Sequence, residues 1–298
     1  MDEQSRAQRP TTNSGTLEHF STPVDGVDLH WVRAGKGAGS PVVLLHGWPQ
    51  TWYAWRNVIP LLAPHHEVYA VDLPGLGDSA ASPRGHGVTV AAGLLDGWRA
   101  AVGLPRVHVV GHDLGGPIGY AWAASRPGNV RSFSLLAVPL HGFGLQEVIA
   151  GAGLWHFGFF GVPGLAEELA AGRERVLLEH FYAHALATGA IGSQDVDEYV
   201  RAYTLPGRLA NGFDYYRNVD ADTAALTDLA RSSLRMPALA VGCGPAGGSA
   251  PLLSLAEVAS DARGEIIADS GHFLPEEQPR QLAAHLLDFM AGRFVPGR

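Results

Sequence analysis

One stretch constrains the fold of this chain more than any other. Residues 107–116 read VHVVGHDLGG, and the helix-forming run PIGYAW follows directly. The apolar run is too short for a helix and ends in a glycine-rich turn, so the segment predicts a strand, a sharp turn and a helix. Asp113 is expected at the apex of that turn.

The glycines around Asp113 indicate how tight the turn must be. Gly111, Gly115 and Gly116 leave room where the helix crosses the strand. Such a turn lifts the Asp113 carboxylate above the carboxyl edge of a parallel sheet and aims the N–H of Leu114 at the group that the carboxylate attacks. On these residues alone, a plainer interpretation stays open in which Asp113 only caps the helix.

Strands and helices alternate on both sides of this turn. A tight turn at residues 25–26 joins two alternating segments, which predicts an antiparallel hairpin over residues 18–32. The later apolar runs are those of a mostly parallel sheet with helices on both faces, an α/β fold. Further strands are expected near residues 41–45, 67–72, 107–111, 130–137, 236–241 and 265–268, and helices near 51–62, 88–102 and 279–294.

The alternation stops between residues 139 and 232. This stretch is helical in its periodicity and rich in aromatic residues, as in WHFGFF at 155–160 and FDYYR at 213–217. We therefore predict a helical cap (lid) domain at 139–232, inserted into an α/β core of residues 17–138 and 233–298. Residues 1–16 are polar and are predicted to be a disordered tail.

Composition limits the partners of the chain. A formal net charge of −8 argues against nucleic acid and against an anionic membrane surface. The single cysteine, Cys243, excludes an intrachain disulfide and a cysteine-based zinc site, and together with a polar N-terminus it favours the cytoplasm.

His180 and His184 have a metal-binding spacing on one expected helix face, but no third ligand is near, so no metal is expected. The expected partner is a small-molecule substrate, and a homodimer stays open.

Two further loops carry residues suited to chemistry. The motif HGWP at 46–49 follows an expected strand, so the backbone N–H of Trp48 can join that of Leu114 in an oxyanion hole. His272 follows the last expected strand and should lie over Asp113. In catalytic triads on a sheet of this kind, the nucleophile comes first in the chain, then the acid, and the histidine base last. Asp113 followed by His272 fits this order.

Together these motifs resemble the α/β-hydrolase superfamily, and most closely its branch of epoxide hydrolases and dehalogenases, whose nucleophile is Asp. The resemblance rests on HGWP at 46–49, DLPGLGDS at 72–79, GHDLGG at 111–116 and GHF at 271–273. It extends from residue 18 onward and implies the α/β-hydrolase fold. Dehalogenases place a halide-holding Trp or carboxylate-holding arginines where this chain has Leu114 and Pro117, so a dehalogenase is disfavoured.

The resemblance also implies two cap residues. In the epoxide hydrolases of this branch, two cap side chains donate hydrogen bonds to the epoxide oxygen, and the matching positions are Tyr216 and His156. The residues then expected to bind the substrate are Trp48, Leu114, His156, Tyr215 and Tyr216.

The chemistry implied is a two-step ring opening. Asp113 attacks the strained epoxide carbon and forms an ester, and the alkoxide that develops is stabilised by the cap side chains. His272 then activates a water that attacks the ester carbonyl. Neither a metal nor an organic cofactor is needed.

The third member of the triad departs from the family pattern. An Asp or Glu that orients the histidine usually follows one of two core strands, and these positions hold Ala137 and Pro245. Asp269 or Glu276, close to the histidine in sequence, is an alternative acid. In triads whose carboxylate is disabled, turnover falls by on the order of 10⁴.

Several functions therefore stay open. The first is an epoxide hydrolase-like enzyme that opens an epoxide of a small or polycyclic substrate through Asp113, with His272 as the base. The second is a non-hydrolytic biosynthetic enzyme, in which a nucleophile within the substrate opens the ring, as in natural-product biosynthesis. More distant alternatives are a dehalogenase and a ligand-binding protein that keeps the fold without turnover.

Overall fold

The computed structural model describes residues 17–296, apart from the side chains of residues 245 and 246. The tail expected at residues 1–16 lies outside this range. Eight strands form one sheet: β1 (Glu18–Val24), β2 (Val27–Ala34), β3 (Pro41–Leu45), β4 (Glu67–Val71), β5 (Val107–His112), β6 (Val130–Leu136), β7 (Ala238–Cys243) and β8 (Ala262–Ile267). Their order across the sheet is β1-β2-β4-β3-β5-β6-β7-β8.

The sheet is antiparallel at one edge and parallel elsewhere. β1 pairs with β2 and β2 with β4 in antiparallel fashion, whereas all pairs from β4 to β8 are parallel. Every residue of β3 and β5 is buried, as expected of parallel strands that are covered on both faces. The predicted hairpin and the mostly parallel α/β sheet are therefore confirmed.

Helices cover both faces of the sheet. Trp98 and Trp122 fill the core on one face, and Trp55 and Leu286 fill it on the other. The helices that flank the sheet are α1 (Ile59–Leu62), α2 (Val88–Ala101), α3 (Gly115–Ser125), and, after the insertion described next, α12 (Gly244–Gly247), α13 (Ala250–Val258), α14 (Leu274–Glu277) and α15 (Pro279–Met290). Within residues 17–296, no helix combines the length and the apolar character needed to cross a membrane.

The chain between β6 and β7 forms a helical insertion. Its helices are α4 (Leu145–Ala152), α5 (Trp155–Phe160), α6 (Leu165–Ala170), α7 (Glu174–Phe181), α8 (Ala183–Thr188), α9 (Ser193–Tyr203), α10 (Arg208–Arg217) and α11 (Val219–Leu229). It is held on the sheet by buried tyrosine hydroxyls that donate to loop carbonyls. Tyr182 donates to Pro49, Tyr203 to Gln50 at 2.9 Å and Tyr215 to Pro74 at 2.9 Å.

Two helices differ from the sequence expectation. Residues 51–62 were expected to form one helix, but a 3-10 turn at Trp52–Trp55 precedes α1 instead. Pro60 lies in the first turn of α1, where its missing N–H costs nothing, and it would interrupt a continuous helix. His180 and His184 were expected on one helix face, and this is wrong, because the chain leaves helical geometry at Tyr182 between α7 and α8.

The turn after β5 generates a stability prediction. A Cβ at Gly111 would lie 2.1 Å from the carbonyl oxygen of Gly115, whereas a Cβ at Gly93, exposed in α2, would meet nothing within 4 Å. We expect Gly111→Ala to lower the free energy of unfolding by about 1–3 kcal/mol or more. Gly93→Ala should raise it by about 0.5–1 kcal/mol. Urea denaturation measures both, and an unchanged midpoint for Gly111→Ala would contradict this account of the turn.

Candidate active site

Asp113 stands between β5 and α3 with a left-handed backbone, φ 50°. Few residues other than glycine adopt this conformation, and Asp is one of the more tolerant. The neighbouring glycines make the geometry possible. A Cβ at Gly115 would lie 2.4 Å from the carbonyl oxygen of Leu45, and one at Gly47 would lie 2.2 Å from the Cβ of Asp113. The turn therefore presses the Asp113 side chain against the loop that follows β3.

Both carboxylate oxygens of Asp113 contact other segments of the chain and not α3. Oδ1 accepts the backbone N–H of Trp48 at 2.8 Å, and Oδ2 lies 3.3 Å from Nε2 of His272. Burial by itself would raise the pKa of Asp113, but its contact with the His272 ring and the Trp48 N–H lower it well below its ordinary value. Asp113 is therefore an ionised carboxylate at neutral pH, and the plain helix-capping interpretation does not fit its contacts.

The loop that carries His272 is fixed from two sides. The Glu277 carboxylate accepts the N–H groups of Gly271 and Phe273 at 2.6 and 2.9 Å. Nε2 of His112 contacts the His272 carbonyl oxygen at 2.7 Å. Burial, with the nearby His272, lowers the pKa of His112 to about 3, so this imidazole is neutral and Nε2 carries the proton that it donates. His112 thus helps to hold His272 beside Asp113 by binding its carbonyl oxygen. The position of His112 next to Asp113 in the sequence did not reveal this role.

The acids proposed as substitutes in the triad do not reach His272. Among residues 17–296, Asp113 is the only carboxylate within ion-pair distance of the His272 ring. Asp269 is exposed. Glu276 is buried and already bound, by the Arg56 guanidinium and by the Tyr199 hydroxyl at 2.7 Å. The expectation that Asp269 or Glu276 replaces the missing acid is therefore not supported by the structure.

The two usual positions of the acid follow neighbouring strands of the sheet. Ala137 comes directly after β6, buried, and its backbone is left-handed with φ 57°. Pro245 lies in the short helix α12 after β7. Neither residue can ionise, so among the described residues His272 has no second carboxylate to orient it or to stabilise its protonated form.

A cavity opens beside Asp113 under the helical insertion. Its wall is mostly apolar, and it contains three of the predicted substrate-binding residues, Leu114, Tyr215 and Tyr216. Trp48 is not part of this wall, because its ring packs against the aromatic rings of the insertion. The residues that line the cavity are Asp113, Leu114, Pro117, Val138, His141, Leu145, Phe157, Tyr215, Tyr216 and Val219.

The two predicted cap residues meet at the edge of this cavity. Tyr216, on α10, lines the cavity, and the ring of His156, on α5, lies edge-on to it with 5.5 Å between centroids. His156 itself is not among the lining residues. Burial raises the pKa of Tyr216 well above its ordinary value and lowers that of His156 to about 4. At neutral pH both rings are uncharged, and the Tyr216 hydroxyl keeps its proton.

The predicted oxyanion donors differ in what they bind. The N–H of Trp48 donates to Asp113, whereas that of Leu114 makes no hydrogen bond within residues 17–296. Leu114 directly precedes α3, so its N–H belongs to the unpaired donors at a helix start. Of these two groups, the Trp48 N–H contacts the Asp113 carboxylate, and Leu114 directly follows Asp113 in the chain.

Polar clusters elsewhere are already internally paired. His30, Asp72 and Asp78 come within 4.8 Å of one another. Asp72 accepts the N–H groups of Trp52 and Asp78 at 2.7 and 3.0 Å, and its Oδ2 lies 2.7 Å from Nδ1 of His30. The cluster therefore fixes the loop after β4.

Cys243 is buried, and burial raises the pKa of its thiol to about 11.

Comparison with known proteins agrees with this architecture. The family described as alpha/beta hydrolase fold matches residues 40–279, and the one described as epoxide hydrolase N terminus matches residues 5–55. The chain belongs to the α/β-hydrolase family, in its epoxide hydrolase branch, and is an enzyme of the hydrolase type. The resemblance and the α/β-hydrolase fold inferred from the sequence are confirmed.

Individual relatives support the same assignment over nearly the whole chain. The soluble epoxide hydrolase of Corynebacterium sp. is 34% identical, covering 93% of this chain and 99% of that protein. Epoxide hydrolase A of Mycobacterium tuberculosis is 29% identical, covering 90% and 95%. Among solved structures, Cfl2 of Burkholderia cenocepacia has a TM-score of 0.85 at 37% identity, covering 92% and 96%. The epoxide hydrolase CorEH has a TM-score of 0.83 at 31% identity, covering 93% and 99%.

Proposed function

We propose that this protein opens epoxides, with Asp113 as the nucleophile and His272 as the base that hydrolyses the resulting ester. The observation that carries the proposal is the ionised carboxylate of Asp113, which lies between the Trp48 N–H and the His272 imidazole and faces the same cavity as Tyr216. The epoxide hydrolases among its relatives support the same class of reaction.

Ring opening is the first step of the proposal. Oδ2 of Asp113 attacks an epoxide carbon, the carbon–oxygen bond of the ring breaks, and the ring oxygen leaves as an alkoxide. Tyr216 lines the cavity and its hydroxyl makes no hydrogen bond within residues 17–296, so it is free to donate its proton to that oxygen. His156, edge-on to the Tyr216 ring, assists as a neutral donor at the rim of the site.

Hydrolysis of the ester is the second step. Nε2 of His272 accepts a proton from a water, and the hydroxide attacks the carbonyl carbon of the Asp113 ester. Negative charge develops on Oδ1, beside the N–H groups of Trp48 and Leu114. The ester bond then breaks as His272 returns its proton to the leaving oxygen of the diol. The second proton of the water passes from the Asp113 carboxyl group to Tyr216 and restores its hydroxyl, and one oxygen of the Asp113 carboxylate now comes from the water.

One observation favours a second candidate function. His272 has no carboxylate partner other than Asp113 among the described residues, and this weakens it as a base once Asp113 is esterified. In the second candidate, a hydroxyl within the substrate attacks the epoxide carbon. His272, beside the Asp113 carboxylate, takes the proton of that hydroxyl, and Tyr216 protonates the ring oxygen as the carbon–oxygen bond of the ring breaks. The proton on His272 then restores the Tyr216 hydroxyl. The product is a cyclic ether, and no water is consumed.

Labelled water distinguishes the two candidates. In ¹⁸O-water, hydrolysis through Asp113 gives unlabelled diol in a single turnover and labelled diol from the second turnover onward. A ring-opened product that never contains solvent oxygen would instead support the second candidate. Freshly prepared Asp113→Asn should form neither product, and undiminished product formation by this variant would remove Asp113 from the nucleophile role.

Two adjacent tyrosines provide a matched test of the proton donor. We expect Tyr216→Phe to slow ring opening by about 10- to 100-fold, because a positioned acid is lost. The Tyr215 hydroxyl already donates to the Pro74 carbonyl, so Tyr215→Phe should change the rate by less than about threefold. Single-turnover rates measure both. Equal rates for Tyr216→Phe and the parent would show that another group protonates the epoxide oxygen.

The missing acid makes hydrolysis of the ester the slow step, and this can be tested at Ala137. We expect Ala137→Glu to turn over at least about 10-fold faster than Ala137→Gln, because only the carboxylate can orient the His272 imidazole and stabilise its protonated form. The left-handed backbone at this position should lower the stability of both variants equally. Steady-state turnover and first-turnover ring opening are measured separately. Identical turnover in the two variants would show that a relay acid does not limit this enzyme.

A further inference from the structure

The cavity beside Asp113 contains a histidine that the proposed chemistry does not use. His141 is only 4% exposed, and it lines the cavity together with Asp113, Leu114 and Tyr216. Its Nδ1 is buried without a hydrogen-bond partner, and no hydrogen bond joins its ring to another residue of the described chain. Buried polar side chains are almost always hydrogen-bonded, so an unpaired imidazole in the wall of a cavity indicates a group that binds there.

The loop around His141 is fixed on both sides. The N–H of Leu140 donates to the Ser254 hydroxyl at 2.8 Å, and the N–H of Gly142 donates to the Gln146 side-chain oxygen at 3.2 Å. Gly142 has φ 80°, and a Cβ at this position would lie 2.9 Å from the hydroxyl oxygen of Thr227 in α11. His141 is therefore held in the wall by its neighbours and does not reach the cavity through a loose surface loop.

The charge state of His141 limits what it can bind. Burial lowers the pKa of His141 to about 4, and the negative charge of Asp113 only partly offsets this effect. At neutral pH the ring is uncharged, with one nitrogen that donates and one that accepts. A hydroxyl group, which also donates and accepts, is the simplest complement. A carboxylate would face the ionised Asp113 in the same cavity, which disfavours it.

The remaining wall offers no alternative partner for such a hydroxyl. Leu114, Pro117, Val138, Leu145 and Val219 are apolar. The other polar groups of the wall are assigned to ring opening or are already bound, since the Tyr215 hydroxyl donates to a loop carbonyl. His141 is thus the polar side chain of this cavity that is left to contact the non-reacting part of a substrate.

We propose that His141 binds a hydroxyl group of the substrate and makes the enzyme select hydroxylated epoxides over plain alkyl epoxides. The inference rests on the proposed function, because it takes an epoxide as the reacting group. A buried site that binds a hydroxyl group discriminates against a substrate without that hydroxyl, because the imidazole is then left unpaired when the substrate is bound. His141 is therefore a specificity-determining residue and takes no part in bond making.

The test compares pairs of substrates in the same enzyme. Epoxyalkanols of three to six carbons are compared with the epoxyalkanes of equal length, using the ratio of their kcat/KM values. For the chain length that reaches His141, the parent enzyme should prefer the epoxyalkanol by at least about 10-fold. His141→Leu should reduce the preference to less than about twofold, while His141→Asn, nearly equal in shape to Leu, should retain most of it.

The ratio of the two kcat/KM values, together with Tm, distinguishes a change in substrate selection from a loss of folding stability. Leu at an unpaired buried polar position should leave Tm unchanged or raise it. A fall in Tm together with an equal loss of activity on both substrates would assign His141 a structural role and overturn the inference. A parent enzyme that opens both substrates of every pair equally well would also overturn it, while leaving the proposed function intact.

Binding distinguishes the failure of this inference from that of the proposed function. Calorimetry with Asp113→Asn measures the affinity for each substrate pair without reaction. We expect tighter binding of the epoxyalkanol, and loss of this difference when His141→Leu is added. If the parent enzyme opens no epoxide and Asp113→Asn still prefers the hydroxylated ligand, the proposed function fails, and of the inference only the binding of a hydroxyl group by His141 stands. No preference in either measurement overturns the inference.

Discussion

The candidate site depends on one partly buried carboxylate that two distant segments of the chain hold in place. Asp113 meets the backbone of Trp48 from the loop after β3 and the ring of His272 from the loop after β8. An ionised group is expensive to bury, and it is stable here because each oxygen has a partner. The parallel order β3-β5-β6-β7-β8 supplies this geometry, since the carboxyl ends of these strands share one edge of the sheet. The Asp113 carboxylate, the Trp48 N–H and the His272 ring therefore meet only when the whole sheet has formed.

A fully buried carboxylate lies near His272 in the sequence and has a different role. Glu276 is bound by Arg56, by the Gln50 amide at 3.0 Å and by the hydroxyl of Tyr199. Burial raises its pKa to about 6, and the charge of Arg56 opposes that rise. The network joins helix α9 of the insertion to Glu276 in α14, four residues after His272. A carboxylate that is near the histidine of the candidate site in sequence can thus serve to join two parts of the fold, without any contact with the imidazole.

The parts of this structure that depend on local chemistry could be predicted from the sequence. The strand, the glycine-rich turn and the helix around Asp113 follow from side-chain volume and backbone freedom, and the all-apolar strands follow from burial on both faces. The features that could not be predicted depend on partners distant in sequence. The break at Tyr182 accompanies a hydroxyl that donates to the Pro49 carbonyl, and Glu276 is bound to Arg56. His141 is one of many histidines in the sequence, and only the three-dimensional structure shows that it is buried, unpaired and in the cavity wall.

The tyrosine contacts of the insertion bear on how molecules reach and leave the cavity. Tyr182, Tyr203 and Tyr215 all donate buried hydroxyls to carbonyls of the loops after β3 and β4. Swinging the insertion away as a rigid lid would unpair all three at once, which makes that motion costly. Helices α4 and α5 each bury a single residue, Leu145 and Phe160, and each also contributes a residue to the cavity wall. Small displacements of these two helices are therefore the least costly route for ligand exchange, and they set how long a product stays bound without disturbing the loops that hold Asp113.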